Sequence, residues 1–515
     1  MPVWNFVRRS VYHDSVTLMR LTHDLEAVAG VQQAAAMMGT PANRALLGQA
    51  CLLDAEGESA GPADLVIAVI AEDVTAAEAA RGAAEAALVA RQATPAATAA
   101  RPRTLAGALR ARTDSTLALI SVPGAYAGAE ARRALLAGLH VMLFSDNVPL
   151  ETEIELKRLA RERQLFLMGP DCGTAIIGGV PLGFANAVPR GRVGIVAASG
   201  TGLQEVSCRL AAEGEGVSHA IGVGGRDLSD AVGGLMTLTA LRALAADAAT
   251  AVVVLIGKPP GPLVLGRLDA ALRAIGKPVV TCFASGGATT TISEGPLAGH
   301  AAATLEDAAL AAIALARGEA PRAIELAEAP AEIERLVAGQ ARALAPGQRF
   351  VRGVFSGGTL AWEAVALLQQ QLVDVAPGVS GEGGGHRVVD LGDDRFTLGR
   401  PHPMIDGAVR RERIARDTAD PATAVLLLDV VLGYGAHPDP AGELLPAITA
   451  ARAAAAAAGR GLAIVASVTG TERDPQVRST QVAALRGGGV VVMDSNAQAA
   501  RLAARIATRV PATVP

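Results

Sequence analysis

Aromatic residues are scarce in this chain, 3% of 515. A core large enough for three or four domains must therefore be built from Ala, Val, Leu and Ile. There are four cysteines, Cys51, Cys172, Cys208 and Cys282, far apart and without a CxxC pair. That spacing argues against a cysteine-based zinc site, and a disulfide framework is not expected in a chain this large. No apolar run reaches membrane-spanning length, and "MPVWNFVRRS" lacks the apolar segment of a secretory signal. Charge of one sign is missing too: the net is −4 with acids and bases interspersed, and no basic stripe invites nucleic acid. These absences predict a cytoplasmic protein acting on a small molecule, bound neither to membrane nor to nucleic acid.

What is present is rhythm. Residues 1–95 alternate short apolar runs with helical spacing, as in "ADLVIAVIA" (63–71) and "TAAEAARGAAEAALVARQ" (75–92). They predict a small α/β domain, ferredoxin-like in order, with Thr75 capping the last helix. "ATPAATAARPRT" (93–104) reads as a linker. From 105 onward, continuous apolar strands alternate with helices, the pattern of a parallel sheet covered on both faces. Residues 105–190 form one such stretch, 191–317 a second and 348–515 a third; 318–347 reads as a linker helix.

The second and third stretches repeat one another. "VGIVAASGTGLQEVSCRL" answers "RGVFSGGTLAWEAVALL", and "IGVGGRDLSDAVGG" (221–234) answers "VVDLGDDRFTLGRP" (388–401). "AATAVVVLIGKPPG" (248–261) answers "PATAVLLLDVVLGYG" (421–435), and "GKPVVTCFASGG" (276–287) answers "GLAIVASVTGT" (461–471). In each first block a strand runs into a serine–glycine turn and a helix. Such a turn leaves several backbone N–H groups pointing one way, at the positive end of the helix dipole. Ser199, Gly200 and Thr201, with Ser356, Gly357, Gly358 and Thr359, are thus candidate phosphate ligands. Two such ends facing each other across a pseudo-twofold axis would clamp one phosphate. A plain helix-packing role for the glycines is the alternative.

With these motifs in view, the chain resembles the succinyl-CoA synthetase superfamily and, within it, the FdrA proteins. "VPGAYAGAEARRALLAG" and "LMGPDCG" are similar to that family's CoA-binding domain. "YHDSVTLM", "MMGTPAN", "FSGGTL", "LGDDRFTLGRPHPMID" and "LLLDVVLGYGAHPDPAGEL" are similar to FdrA proteins. The resemblance implies an α/β multidomain fold. Its parts are a Rossmann-like CoA-binding-type domain (105–190) and two duplicated flavodoxin-like domains, one of the ligase α-subunit type (191–317), the other of the β-subunit type (348–515). It also implies an acyl-phosphate chemistry, with a phosphohistidine resting between opposed helix ends.

Three departures qualify that implication. No stretch is left for a nucleotide-binding ATP-grasp domain, so a nucleotide step would fall to a partner subunit. The G-x-T-G-x-x-G turn of the CoA half is missing, leaving CoA only a possible ligand. "AGHAAA" (298–303) offers His300 where the family has its phosphohistidine, or else a loop histidine. Lys258 stands where the ligases carry a glutamate, and a cation there attracts a free phosphate or acyl phosphate.

FdrA-type proteins are associated with allantoin breakdown, in which an oxamate carbamoyltransferase splits oxalurate with phosphate into oxamate and carbamoyl phosphate. The resemblance therefore implies a carbamoyltransferase subunit that takes phosphate or carbamoyl phosphate as substrate. It would work with further subunits of a complex or as a homo-oligomer. The alternatives are an ADP-forming acyl-CoA synthetase component and a noncatalytic scaffold. Lys258, His437 and His300 are the candidate catalytic residues, His437 as an acid or base. Arg226, Arg395, Arg400 and His402 are candidates for binding a substrate carboxylate; salt-bridged loops are the other reading of the arginines.

Overall fold

The structure is a computed structural model that describes residues 2–11, 13, 15–92, 102–283, 297–397 and 400–509. Two compact units emerge: residues 1–103 with 398–401, and residues 104–397 with 402–515.

In the first unit β1 (Val3–Arg8), β2 (Val31–Met38) and β3 (Leu65–Ala71) form an antiparallel sheet in the order β1-β3-β2. The central strand, LVIAVIA, is apolar throughout because both faces are covered. Leu65, Ile67, Val69 and Ala71 meet Leu18, Leu21 and Leu25 of the Ser15–Glu26 helix and Ala77, Ala80, Ala84 and Leu88 of the Val74–Gln92 helix. Val66 and Ala68 turn to the other side, against Leu47, Leu52 and Ala60. This is the period of two expected of a strand. Two short helices, Pro41–Gln49 and Ala55–Glu58, stand between β2 and β3; apart from them the order is the ferredoxin-like one, without a closing strand among the described residues. Thr75 is not the cap of the last helix. The helix begins at Val74, and Asp73 accepts from the N–H of Ala76 at 2.9 Å.

The second unit opens with a three-stranded parallel sheet, β4 (Leu117–Ile120), β5 (His140–Leu143) and β6 (Leu167–Met168), with helices Gly124–Leu136 and Leu150–Glu162. A hairpin, β7 (Thr174–Ile177) and β8 (Val180–Gly183), then joins the next sheet. That sheet contains β9 (Arg190–Ala197), β10 (Val217–Gly222), β11 (Val252–Gly257), β12 (Val279–Phe283) and β13 (His300–Ala301), in the order β13-β12-β11-β9-β10-β7-β8. A further sheet contains β14 (Phe350–Phe355), β15 (Arg387–Asp390), β16 (Thr423–Val431), β17 (Ala463–Thr469) and β18 (Val491–Met493), in the order β15-β14-β16-β17-β18. Numbered within each repeat, both parallel cores read 2-1-3-4-5. This is the flavodoxin-like order, whose ligands sit where the winding reverses, at the carboxyl ends of the first and third strands.

The repeats are bound to each other by exchanged helix caps. Glu205 lies on the Gly200–Ala212 helix of the first repeat and accepts from the N–H of Asn496, which opens the last helix of the second, at 3.2 Å. Glu363, on the Gly358–Gln371 helix of the second repeat, accepts from the N–H of Leu305, which opens the last helix of the first, at 2.7 Å. Both carboxylates are buried. The Pro330–Arg342 helix between the repeats buries Ile333, Val337 and Ala341; Ile333 and Val337 belong to the core that the repeats share.

Candidate active site

The two serine–glycine turns meet. β9 runs into Ser199, whose extended backbone and side chain cap the Gly200–Ala212 helix by accepting from Gly202 N–H at 2.9 Å. β14 runs into Gly357, which caps the Gly358–Gln371 helix without a side chain. Ser199 Oγ lies 2.5 Å from Thr359 Oγ1. Across the pseudo-twofold axis, a methyl group placed on Gly357 would stand 2.6–2.8 Å from Thr201. Each turn therefore presses its threonine against the cap position of the other. Ser199, Gly200, Gly358 and Thr359 are partly open to solvent, whereas Thr201, Ser356 and Gly357 are buried.

Strand register equates Ser199 with Gly357, and hence Ser356 with Ala198. Ala197 pairs with Gly222 of the second strand of its repeat, and Phe355 pairs likewise with Asp390. Ser356 thus points inward. Its N–H donates to Asp429 Oδ1 at 2.9 Å and Oδ2 at 3.0 Å, and its hydroxyl donates to Oδ2 at 3.0 Å. The Gly357 N–H also serves Asp429. Burial raises the Asp429 carboxyl, while the buried Arg410 guanidinium, 3.0 Å away, opposes that rise. An internal carboxylate thus occupies the inner donors of the second turn, and the outer ones, on Gly358 and Thr359, have no intrahelical acceptor.

Two side chains flank the outer donors. Thr174 Oγ1 lies 3.5 Å from where a Cβ of Gly200 would stand, and Asp390 Oδ2 lies 2.6 Å from the same point at Gly358. Burial pushes the Asp390 carboxyl up to about 7; Gly392 N–H and the Lys258 charge work against it, and Asp429 and Asp393 reinforce it. Lys258 follows β11, is exposed, and has no carboxylate at ion-pair distance among the described residues. His402 stands beside Gly392, its ring 5.5 Å from that of Phe184, and Nδ1 accepts from Met404 N–H at 3.2 Å. Burial, then the Arg410 charge, lower it to about 4, so the ring is neutral at pH 7.

The remaining predicted residues are dispersed. Arg226 Nε lies 2.8 Å from Glu153 Oε2, and Arg226 donates to Val148 O at 2.8 Å. It frames a buried Lys157–Asp227 pair of 2.8 Å. Arg395 lies over the Phe396 ring at 4.8 Å and donates to Val379 O. Arg400 is exposed and belongs to the first compact unit. His437 Nδ1 accepts from Asp439 N–H at 3.1 Å, and the His437 backbone N–H donates to Met404 O at 2.7 Å, next to the His402 loop. His300 is exposed on the edge strand β13, paired through Val280 and Val254 to Ile195. That places it three strands from β9 and four residues short of Ser199, roughly 20 Å away by strand spacings. The structure does not bring it to the turns.

Asp390 is not among the residues that the sequence motifs single out. It ends a strand two residues before Gly392, but only the β14–β15 pairing puts it at a helix start. The helix after β4 has Pro123 as its cap, with no side-chain hydrogen bond. The open side of Gly124 is filled by the carbonyls of Asp146, 2.3 Å, and Asn147, 2.6 Å, from its would-be Cβ. Carbonyl oxygens repel an anion, so these residues do not fit a CoA pyrophosphate. Among the described residues no three His, Cys, Asp or Glu side chains gather to hold a metal ion.

Residues 354–506 match the CoA-ligase family, and residues 1–103 match the family described as AllF, heavy metal-associated domain. In the latter region Cys51 is the single cysteine, a donor set that does not fit a soft metal. The uncharacterized protein YahF of Escherichia coli (strain K12) is 40% identical over 513 residues, 98% of each chain. The succinate–CoA ligase [ADP-forming] subunit alpha 1 of Archaeoglobus fulgidus is 29% identical over 203 residues, 38% of this chain and 66% of that one. The subunit alpha of Staphylococcus aureus (strain N315) is 30% identical over 199 residues, 38% and 63%. The chain thus spans somewhat less than two thirds of these ligase subunits. Among solved structures, the dinucleotide forming acetyl-coenzyme A synthetase 1 of Ca. Korarchaeum cryptofilum aligns at 17% identity and a TM-score of 0.33, over 76% of this chain and 82% of that one.

Proposed function

Since the chain belongs to the family of YahF, an FdrA-like branch of the CoA-ligase superfamily with an acyl-CoA synthetase-type scaffold, we propose that it uses this scaffold for carbamoyl transfer to phosphate. Phosphate or carbamoyl phosphate is held at the outer N–H groups of the two opposed turns, with Ser199, Thr359 and the Lys258 ammonium completing the site. The observation that carries this reading is the contact of the two turns, with the charge of Lys258, a lysine that makes no ion pair among the described residues, acting on Asp390 beside them. Oxalurate, or a similar N-carbamoyl compound, gives its carbamoyl group to phosphate, leaving oxamate. The dipoles of both helices and Lys258 stabilise the charge that gathers on the phosphate oxygens. Neither nucleotide nor CoA enters such a reaction.

The test is formation of carbamoyl phosphate and oxamate from oxalurate and phosphate by the full-length chain, with its co-purifying subunits where these exist. Lys258→Ala is expected to lower the rate about 100-fold. No product from the wild-type chain under any of these conditions sinks the reading. The likeness to succinate–CoA ligase alpha subunits favours a second reading, an ADP-forming acyl-CoA synthetase component. It requires His300, so loss of activity in His300→Ala, together with calorimetric binding of CoA, would select it.

A further inference from the structure

We propose that Asp390 is the proton-transfer group of the anion clamp. It would donate to the departing nitrogen of an N-acylurea while phosphate takes the carbamoyl group. This rests on the carbamoyl-transfer reading.

The geometry comes first. Asp390 ends β15 and is only 8% exposed. Its Oδ1 accepts from Gly392 N–H at 2.9 Å. Oδ2 has no hydrogen-bond partner among the described residues and is aimed at Gly358, the first residue of its helix. It lies 2.6 Å from where a Cβ of Gly358 would stand, at a helix start whose first N–H groups have no intrahelical acceptor. The repeat supplies an internal comparison. At the equivalent place the first repeat has Gly222, whose open side is filled by Thr174 O at 2.4 Å and Cys172 Sγ at 2.6 Å. The fold therefore does not need a carboxyl there.

Charge decides what that carboxyl does. Asp429, Asp393 and the buried Asp171, itself raised to about 7 by burial, face it with like charge and Lys258 with opposite charge; the His402 ring across Gly392 is neutral at pH 7. With burial, these leave it titrating near neutrality. An anion arriving at Gly358 and Thr359 adds a further like charge, which drives a proton onto Asp390. The loaded acid then stands beside the anion it accompanies.

The step balances. A phosphate oxygen bonds to the carbamoyl carbon, the bond from that carbon to the amide nitrogen breaks, and its electron pair goes to nitrogen. Asp390 protonates that nitrogen and recovers the proton from the attacking phosphate hydroxyl. Products are a carbamoyl phosphate and a primary amide.

Sulfate, which does not titrate near neutrality, is the probe for binding. Calorimetric titrations of the full-length chain at pH 7.5, in two buffers of different ionisation enthalpy, should show proton uptake on sulfate binding. Asp390→Asn should bind sulfate as well or better with no uptake. It should lower kcat for carbamoyl transfer about 100-fold or more without raising KM for phosphate. Equal uptake in wild type and Asp390→Asn overturns the assignment whatever the activity. Uptake abolished by the substitution, in a wild-type chain that forms no carbamoyl phosphate, overturns the transfer reading and keeps Asp390 as the proton partner of the anion. If Asp390→Asn does not fold, the wild-type uptake decides alone: it must be largest just above pH 7, and a flat profile overturns the proposal.

Discussion

Ser199 and Thr359, 160 residues apart in the chain, hold their hydroxyl oxygens 2.5 Å from one another. Their pseudo-symmetric counterparts are Gly357 and Thr201, where the missing side chain of one accommodates the other. Gly357→Ala would place a carbon 2.6–2.8 Å from Thr201 and must prise the turns apart. We expect a loss of about 1–3 kcal/mol in denaturant unfolding, with weaker phosphate binding in calorimetry. Unchanged stability would mean that the turns are not in contact.

Lys258 separates function from stability. Its side chain is exposed and makes no ion pair among the described residues, so Lys258→Ala should leave the unfolding free energy within about 0.5 kcal/mol. Phosphate affinity should fall by about tenfold or more, the loss of one charge-assisted hydrogen bond. Titration of the variant at low and high salt checks this, because the wild-type advantage must shrink as salt rises.

Glu363 makes stability depend on pH. Burial pushes its carboxyl up to about 7, against the donors Leu305 N–H and Asn496. The folded chain therefore holds a proton that the unfolded chain releases near pH 4.5. The stability it contributes is full below that value and is lost as pH rises to about 7, by roughly 3 kcal/mol. Glu205 shifts in the same direction, for burial first. Glu363→Gln should flatten the fall in unfolding free energy between pH 4.5 and 7; an unaltered slope would place the proton elsewhere.

The Arg410–Asp429 pair is wholly buried, at 3.0 Å. Asp429→Asn leaves Arg410 charged without a counter-ion, and the expected loss is about 3–5 kcal/mol. Asp429→Asn combined with Arg410→Met should recover much of it. A double variant no more stable than the single would show that the carboxylate acts through Ser356 and not through the arginine.

Continuous apolar strands such as VVVLIG and VLLLD were legible in the sequence, as was their duplication, because buried parallel strands carry a one-dimensional signal. Register was less so. Matching serine to serine pairs Ser199 with Ser356, whereas strand pairing sets Ser199 opposite Gly357 and turns Ser356 toward Asp429. The cap of the Val74–Gln92 helix slipped in the same way, from Thr75 to Asp73. Asp390 and Asp429 were illegible as site residues because their roles come from neighbouring strands far away in sequence. His300 shows the converse: a motif-like hexapeptide that the sheet carries to its edge.

The exchanged caps at Glu205 and Glu363 have a consequence for how the molecule is assembled. Each half supplies a carboxylate that the other half's last helix requires, so neither is electrostatically complete by itself. The chain amounts to a dimer of unlike partners made permanent by a peptide tether, and the tether's contribution is effective concentration. Two fragments divided between residues 318 and 329 should therefore reassemble when mixed. Such an arrangement frees the halves to specialise: one keeps a hydroxyl beside its helix start and the other a carboxyl, a division of labour that two identical subunits could not sustain.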